Sequence, residues 1–309
     1  MAQVTGGGDG EIRDAVVIGG SFAGISAALY LARGRRQVTV VDEGLTRNRF
    51  AAQGHGLLGH DGRPPAEIQA AGISDLLAYP EARMVQDRVV AVAGQADDFR
   101  VTLASERVLR ARRLVLAYGT RDILPDLAGL AAIWGRTAFQ CPYCHGYEMA
   151  GRPAALWFAA PGVAEHARFL QQWVPDLTVV TDGAPLPEAD AAALHAAGIA
   201  LETARLAAVE SDGDALRGLR LADGRRLAVE VLYMVPRNEP ACDLAAQLGC
   251  RMAEGRQGPI VETSQMQETS VPGVFAAGDL DRPVFGAAFA LAEGVMAGTA
   301  CHRSLVMGL

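Results

Sequence analysis

Short apolar runs alternate along the chain with segments whose apolar and small residues recur at helical spacing. The first run, residues 14–18, leads into a glycine-rich turn, and residues 25–33 after it have the pattern of a helix. A second apolar run, residues 37–41, ends at Asp42. This order of strand, glycine turn, helix and strand predicts a βαβ unit, the building block of a parallel sheet.

The rest of the chain continues the same alternation. Further strands are predicted at residues 84–93, 99–103, 113–117, 154–158, 177–180, 206–210, 216–221, 227–234 and 273–279. Further helices are predicted at residues 65–79, 163–173 and 287–302. Asp223 and Gly224 form the turn of a predicted hairpin. The elements between residues 154 and 180 repeat the strand, turn, helix and strand order of the first unit.

The first turn carries the residues that a dinucleotide site needs. Gly19 and Gly24 let the backbone approach a pyrophosphate, and the helix start after them offers amides and a positive dipole end. Asp42, about twenty residues further on, is placed to bond a ribose hydroxyl. Ser21 stands where the motif has a glycine, a position that a small side chain can occupy. Together these features favour a dinucleotide site over a plain tight turn.

We therefore predict an α/β protein with two Rossmann-like nucleotide-binding domains of three layers each. The first domain comprises residues 1–118 and 244–309, and a second domain, residues 119–243, interrupts it. The interruption is inferred because an apolar strand ending at Asp279 lies far along the chain from the first unit. A length of 309 residues agrees with two domains of about 150 residues each.

Composition removes several classes of chemistry. The chain has 28 basic residues, all of them arginine, and a net charge of −7. Without lysine, a Schiff-base site and a lysine-tipped phosphate loop are excluded, and with them pyridoxal enzymes, class I aldolases, kinases and common nucleotide hydrolases. The acidic balance argues against nucleic acid as a partner, and the apolar runs are too short to span a membrane. Residues 1–10 lack the pattern of a signal peptide, so we predict a cytoplasmic location.

Four features, in order, resemble the low-molecular-weight thioredoxin reductase family of flavoproteins over nearly the whole chain. They are the Gly19 to Gly24 turn with Asp42, the strand end Leu116-Ala117-Tyr118-Gly119, the pair Cys141 and Cys144, and Gly278-Asp279 before the last helix. The resemblance implies that the first and last segments bind FAD. It also implies that the inserted domain carries the redox cysteines and an NADPH-type site.

Finer details look more like the dithiol oxidases of disulfide natural products, the branch that contains the gliotoxin, holomycin and romidepsin enzymes. These details are residues 47–50, 55–62 and 141–148. The resemblance implies a homodimer. It also implies a set of FAD-binding residues, namely Gly19, Gly20, Ser21, Phe22, Ala23, Gly24, Asp42, Arg49, His55, Gly119, Gly278, Asp279, Ala287 and Ala288.

The second nucleotide site departs from the pattern of the reductases, which carry another glycine fingerprint there. Here residues 158–164 place alanines at glycine positions and include Pro161, which has no amide to hold a phosphate. The reductases also place a basic cluster after the next strand. This chain has Asp182 there, and an acid repels a 2′-phosphate. Both departures argue that the second domain is a degenerate site that does not use NADPH.

Cys141 and Cys144 have the spacing of a reversible disulfide. A zinc site would need a second matching pair, but seven residues separate Cys242 from Cys250, so no metal is predicted. A thioredoxin-fold active site follows that fold's first strand, whereas this pair lies between two nucleotide-type units. A flavin-linked disulfide is the best interpretation. By resemblance, Cys144 faces the flavin and Cys141 exchanges with substrate.

His145 follows the cysteine pair, where the reductases have an aspartate as the acid–base group. An imidazole titrates near neutrality and can take a proton from an incoming thiol or protonate a leaving one. The alternative is a histidine that only packs beside the motif. For His55 and His60, in the glycine-rich loop, a solvated and a functional role both remain open.

We predict an FAD-dependent dithiol oxidase that forms a disulfide within a small-molecule dithiol through Cys141 and Cys144, with O2 reoxidising the flavin to give H2O2. One alternative is a thioredoxin or other disulfide reductase with an atypical NADPH site or another electron donor. Another is a flavin-containing redox sensor. The residues do not identify the dithiol, because loops that contact substrates carry no transferable code.

Overall fold

The computed structural model describes residues 11–308. The glycine-rich start, on which the signal-peptide prediction rests, lies outside the described residues, as does residue 309. Contacts divide the chain into two compact units. The first unit holds the described residues up to Arg49, Ala66–Asp122 and those from Asn238 onward, and the second holds Phe50–Pro65 and Ile123–Arg237. The predicted domain boundaries stay a prediction.

Strands and helices alternate along much of the chain between residues 11 and 308. The strands are β1 (Ile12–Ile18), β2 (Val38–Asp42), β3 (Ala82–Gln86), β4 (Val89–Gln95), β5 (Asp98–Leu103), β6 (Val108–Leu116), β7 (Thr120–Ile123), β8 (Ala138–Phe139), β9 (Ala154–Trp157), β10 (Leu177–Val180), β11 (Ala200–Glu202), β12 (Leu206–Asp212), β13 (Ala215–Leu221), β14 (Arg226–Leu227), β15 (Val231–Met234), β16 (Arg237–Pro240), β17 (Met252–Glu254), β18 (Pro259–Val261) and β19 (Val274–Ala276). The α-helices are α1 (Phe22–Arg33), α2 (Pro65–Leu77), α3 (Leu130–Ile133), α4 (Pro142–His145), α5 (Val163–Leu170), α6 (Glu188–Ala196), α7 (Leu244–Gln247) and α8 (Ala287–Met307). Within residues 11–308, none of the helices has the length and apolar character that a membrane crossing requires.

The first unit is built on a seven-stranded sheet, in which six strands have the order β3-β2-β1-β6-β5-β4 and the seventh, β19, pairs with β6. β1 lies parallel to both β2 and β6, while β19 runs parallel to the carboxyl half of β6. The carboxyl ends of β1, β6 and β19 therefore meet at one edge of the sheet. The strand order reverses between β1 and β6, which is where open α/β sheets bind their ligands.

Helices α1 and α8 pack against each other beside this sheet. Gly298 permits the close approach, because a Cβ on it would lie 2.5 Å from the backbone oxygen of Ala27. Gly294 lies against Ala23 in the same way, because a Cβ on it would lie 2.2 Å from the backbone oxygen of Ala23. The core between helix and sheet is fully buried and apolar, with Leu31 among its largest side chains.

The second unit holds a five-stranded sheet with the order β11-β10-β9-β15-β8. The four strand pairings in this sheet are all parallel. The strand order of this sheet also reverses, at the position between β9 and β15. A three-stranded antiparallel sheet, β12-β13-β14, completes the unit. The prediction of an α/β protein with two Rossmann-like folds is confirmed.

Several predicted elements differ in extent from the structure; the last helix, for example, continues to Met307 rather than ending at residue 302. Three other differences concern strands and a helix. Residues 84–93 form two strands, β3 and β4, at opposite ends of the sheet. The chain leaves β3 at Asp87, whose carboxylate accepts hydrogen bonds from the backbone N–H of Arg88 and from the hydroxyl of Ser105. Residues 227–234 are also two strands, since Leu227 ends the hairpin and Val231 begins a buried parallel strand. The predicted helix 163–173 ends at Leu170, after which the chain turns.

Candidate functional site

The glycine turn after β1 brings three backbone segments very close together. Gly19 has a φ of +105°, and a Cβ on it would lie 2.4 Å from the Ala117 carbonyl oxygen at the end of β6. A Cβ on Gly24 would lie 1.8 Å from the Gly19 carbonyl oxygen. No side chain fits at these distances, so both positions require glycine.

Polar contacts hold the same turn in place. Gly20 donates its backbone N–H to the carboxylate of Asp42 at 2.9 Å. Asp42, the residue predicted to bind a ribose hydroxyl, therefore lies against the turn. Gln69, which sequence analysis did not single out, donates its side-chain amide to the Gly20 carbonyl at 2.7 Å. Ser21 is the N-cap of α1, yet its side chain makes no capping hydrogen bond. Phe22 and Ala23 begin the helix.

This arrangement fits the diphosphate end of FAD. An uncapped first turn offers backbone N–H groups and a positive dipole end to an anion, and glycines at the approach leave room for it. The α1 start combines both properties with an acidic side chain, Asp42, at the end of the neighbouring strand. These are the elements of a dinucleotide cradle.

The other predicted cofactor residues of the first unit lie at the carboxyl ends of β6 and β19. Gly119 has a φ of +68°. Gly278 has a φ of +84° and donates its backbone N–H to Glu293 Oε2 at 3.0 Å. Ala287 and Ala288 are the first residues of α8, whose N-cap has no side-chain capping bond. The fold thus gathers predicted residues that are more than 250 positions apart in the sequence.

Arg47 links this edge together and was missed by sequence analysis, which selected Arg49. Arg47 Nη1 lies 2.9 Å from Asp279 Oδ2, its Nη2 lies 2.5 Å from Asp122 Oδ1, and its Cζ lies 4.1 Å from the ring centroid of Phe285. Arg49 donates instead to the backbone carbonyl of Thr46 at 2.8 Å and is exposed. The 47–50 motif drew attention to this segment, but nothing in its spacing indicates a partner at residue 279.

The cysteine pair lies at the end of β8, on the carboxyl edge of the second sheet. Cys141 is the N-cap of α4 and is joined to Cys144 by a disulfide, with the two Cα atoms 5.4 Å apart. Both cysteines are partly buried, while Tyr143 and Tyr147 beside them are 73% and 84% exposed. The disulfide therefore lies near the protein surface, with part of each cysteine residue exposed to solvent.

His145 directly follows Cys144 and is the last residue of α4. Its ring stacks on Phe139 with a centroid separation of 4.2 Å. Burial lowers the pKa of His145, while the Glu148 carboxylate raises it and His55 lowers it. The imidazole is therefore neutral near pH 7 and can accept a proton.

His55, predicted to bind the cofactor, lies in the second unit within Phe50–Pro65. Its Nε2 is 3.4 Å from Glu148 Oε1, and its Nδ1 is 3.6 Å from Asp61 Oδ2. The structure therefore places it among the groups around the CxxC segment. Sequence analysis named Glu148 only as part of a motif.

The second strand, turn and helix unit differs from the first at the helix start. The N-cap of α5 is Gly162, with a φ of +86°. Asp190, which comes from α6, accepts hydrogen bonds from the backbone N–H groups of Gly162 and Ala164, each at 3.3 Å. The amides that would hold a pyrophosphate are thus already bound to a carboxylate of the protein itself. Sequence analysis missed this residue because it lies 28 positions from its partner.

The turn after β10 contains an acid, as the sequence indicates, but the fold also brings a cation near it. Asp182 has a φ of +54° and accepts a hydrogen bond from the backbone N–H of Leu206 at 2.7 Å. The side chain of Arg205 packs at Gly183, where a Cβ would lie 3.0 Å from Arg205 Cγ. The sequence analysis considered only the acid in this turn, whereas the folded loop also holds an arginine from a later segment.

The three remaining cysteines pack as small apolar residues, as expected. Cys250 and Cys301 are buried and Cys242 is partly buried. Burial raises the pKa of Cys242 to about 11 and that of Cys301 to about 12. Among residues 11–308, no group of three or more His, Cys, Asp and Glu side chains is arranged to hold a metal ion.

Two Rossmann-like units and an accessible CxxC disulfide define a disulfide oxidoreductase of the nucleotide-binding class. Residues 13–294 match the pyridine nucleotide-disulphide oxidoreductase family, and the chain belongs to this family. Proteins of this kind are flavoproteins that generally bind FAD. The resemblance to thioredoxin reductase-like proteins, inferred from the motifs, is confirmed.

The similarity to known proteins extends over nearly the whole chain. Thioredoxin reductase sirT from Leptosphaeria maculans is 32% identical, covering 94% of this chain and 93% of its own. Thioredoxin reductase tcpT from Claviceps purpurea is 30% identical, with 97% and 96% covered. The structure of an oxidoreductase from Agrobacterium tumefaciens has a TM-score of 0.91 at 39% identity, with 97% of this chain and 100% of that chain covered. The structure of HlmI has a TM-score of 0.88 at 35% identity, with 96% and 93% covered.

Proposed function

We propose that the protein is an FAD-dependent dithiol oxidase that forms a disulfide within a small-molecule dithiol and uses no nicotinamide cofactor. The main support for this proposal is the start of α5, where a carboxylate of the protein already accepts hydrogen bonds from the backbone amides. A pyrophosphate binds at a helix start because the free amides and the dipole attract an anion. In α5, Asp190 already accepts from two of these amides and adds a negative charge of its own.

The start of α1 contrasts with this arrangement. There the N-cap side chain makes no capping bond, and Asp42 stands behind the turn rather than on the helix amides. The predicted FAD-binding residues of the first unit would hold the cofactor at this edge. When bound, FAD supplies the redox chemistry, taking two electrons from the reduced cysteine pair and passing them to O2 to give H2O2.

The cysteine pair performs the thiol chemistry. One substrate thiolate attacks Cys141 Sγ, the Cys141–Cys144 bond breaks, and Cys144 leaves as a thiolate. The second substrate thiolate then attacks the substrate sulfur of the mixed disulfide and releases Cys141. The substrate loses two electrons and two protons and becomes a cyclic disulfide, while the enzyme disulfide becomes a dithiol.

His145 accepts and then returns the proton in this exchange. The thiolate is the nucleophile, so the attacking thiol must lose its proton before or during attack. A neutral imidazole beside the disulfide accepts that proton, and the imidazolium returns it to the leaving sulfur of the enzyme. The lowered pKa of His145 keeps the ring in the accepting form near pH 7.

A second candidate function is a disulfide reductase that receives electrons from NADPH. Two observations favour it: the relatives sirT and tcpT are named thioredoxin reductases, and Arg205 packs at Gly183, near the place where reductases hold a 2′-phosphate. The Asp190 contact argues against it. Homodimerisation and a cytoplasmic location are further proposals that rest on the resemblance, and light scattering of the purified protein tests the first.

Anaerobic rapid mixing of the flavin-loaded protein distinguishes the two functions. We expect dithiothreitol to bleach the flavin absorbance within the turnover time, and NADPH to leave it oxidised. Fast bleaching by NADPH in the absence of thiol would contradict the oxidase and support the reductase. Bleaching by neither donor would support a redox sensor, whose cysteine pair reports redox state without turnover.

A further inference from the structure

The loop before α2 is folded so that one of its histidines contacts the CxxC segment. Gly54 and Arg63 pair across the base of the loop, and Gly56 donates its backbone N–H to Asp61 Oδ1 at 2.8 Å. These bonds fix the backbone on both sides of His55. The His55 side chain, 18% exposed, then lies with Nε2 3.4 Å from Glu148 Oε1.

Glu148 interacts with two imidazoles at once. It follows His145 by three residues, and its carboxylate acts electrostatically on His145 while it lies against His55. Its side chain is about one-third exposed, at 34%, so water screens these interactions only in part. A carboxylate in this place favours a positive charge on a neighbouring ring.

We propose that Glu148 is a positioning residue for His145 in the thiol–disulfide step, and that His55 holds the Glu148 carboxylate in place. The proposal rests on the proposed function, in which a substrate thiol gives its proton to His145. That proton transfer leaves an imidazolium beside the disulfide. The Glu148 carboxylate stabilises this imidazolium, and His55, backed by Asp61, limits the rotation of the carboxylate.

This assignment gives His55 a role in the thiol chemistry rather than in cofactor binding. The other titratable groups around His145 do not compete for the role. Tyr233, below the stacked Phe139 ring, is buried and its pKa is raised to about 12, so it stays neutral near pH 7. Asp61 is exposed, and its neighbours are His55 and the backbone of Gly56.

Histidine NMR of the oxidised, flavin-loaded protein gives the first test, with His145→Gln used to assign the resonance. Because Glu148 raises the pKa of His145, we expect the pKa in Glu148→Gln to be lower than in the wild type. Glu188→Gln, the same change on the exposed start of α6, is the matched control and should leave the pKa unchanged. This readout does not depend on turnover.

Rapid-mixing kinetics of disulfide reduction by dithiothreitol give the second test. We expect Glu148→Gln to slow the step roughly tenfold and to move its acidic limb to lower pH, because the limb follows the pKa of His145. His55→Gln should slow the step less, and should have little further effect in a Glu148→Gln background, because it acts through Glu148.

The outcomes separate the inference from the proposed function. If the wild type is not reduced by the dithiol, the proposed function fails. If the wild type reacts but Glu148→Gln keeps both the rate and the His145 pKa, the positioning role is wrong. Additive effects of His55→Gln and Glu148→Gln would show that His55 does not act through the carboxylate.

Discussion

Individual residues at the first turn are specified by contact distances that leave no room for a side chain. Gly19 and Gly24 were identified from the sequence because the fingerprint pattern encodes this close approach. Arg47, Gln69 and Glu148 were not identified, because each contacts a partner that only the fold brings near. Local spacing predicts the residues of a turn, but it does not predict the long-range partners of a polar side chain.

Gly24→Ala tests the glycine turn. Its Cβ would lie 1.8 Å from the Gly19 carbonyl oxygen, so the turn or α1 must shift. We expect the free energy of unfolding to fall by about 3 kcal/mol and the purified protein to lose its flavin. Gly54→Ala, whose Cβ would make an ordinary contact at 3.5 Å, is the control. Urea unfolding and flavin absorbance measure both, and equal stability of the two variants would contradict the close approach.

Cysteine reactivity tests the assignment of the redox pair. Burial raises the pKa of Cys301 well above that of an exposed thiol, so little of the reactive thiolate is present there at pH 8. After mild reduction, a short iodoacetamide pulse should label Cys141 and Cys144 and leave Cys301 unmodified until urea is added. Mass spectrometry of the peptides gives the answer, and Cys301 labelling as fast as Cys141 in the native protein would contradict it.

At the scale of secondary structure, the two helix starts α1 and α5 have the same position in their units but different surroundings. The sequence predicted both helices and both βαβ units, since apolar periodicity reports local structure well. The sequence analysis predicted a single strand for β3 and β4, and another for β14 and β15. A run of apolar residues does not show where one strand ends and the next begins in another position. The capping of α5 by α6 could not be predicted, as α6 was not identified.

Asp190→Ala tests the cap on α5. Removing a carboxylate that accepts from two helix-start amides should lower the free energy of unfolding by about 1 kcal/mol. Asp190→Asn keeps an acceptor and should retain a large part of that stability. Urea unfolding at pH 7 compares the three proteins. Wild-type stability in Asp190→Ala would mean that the hydrogen bonds contribute little and that the helix start is effectively open.

At the scale of the whole molecule, the first unit contains the glycine turn and the second unit contains the disulfide. The α/β class and the pair of Rossmann-like folds were predictable from the sequence, because the order of strands, turns and helices determines the parallel sheets. The membership of residues 50–65 in the second unit was not, because it depends on contacts between distant segments. That grouping is what brings His55 beside Glu148.

Oxygen consumption by the flavin-loaded protein tests the central claim most directly. With dithiothreitol as the only reductant and no nicotinamide present, we expect oxygen uptake that matches the hydrogen peroxide and the disulfide formed. Cys144→Ser should abolish this uptake while retaining the flavin, because the enzyme disulfide can no longer form. Uptake that requires NADPH, or that is unchanged in Cys144→Ser, would contradict a dithiol oxidase acting through this cysteine pair.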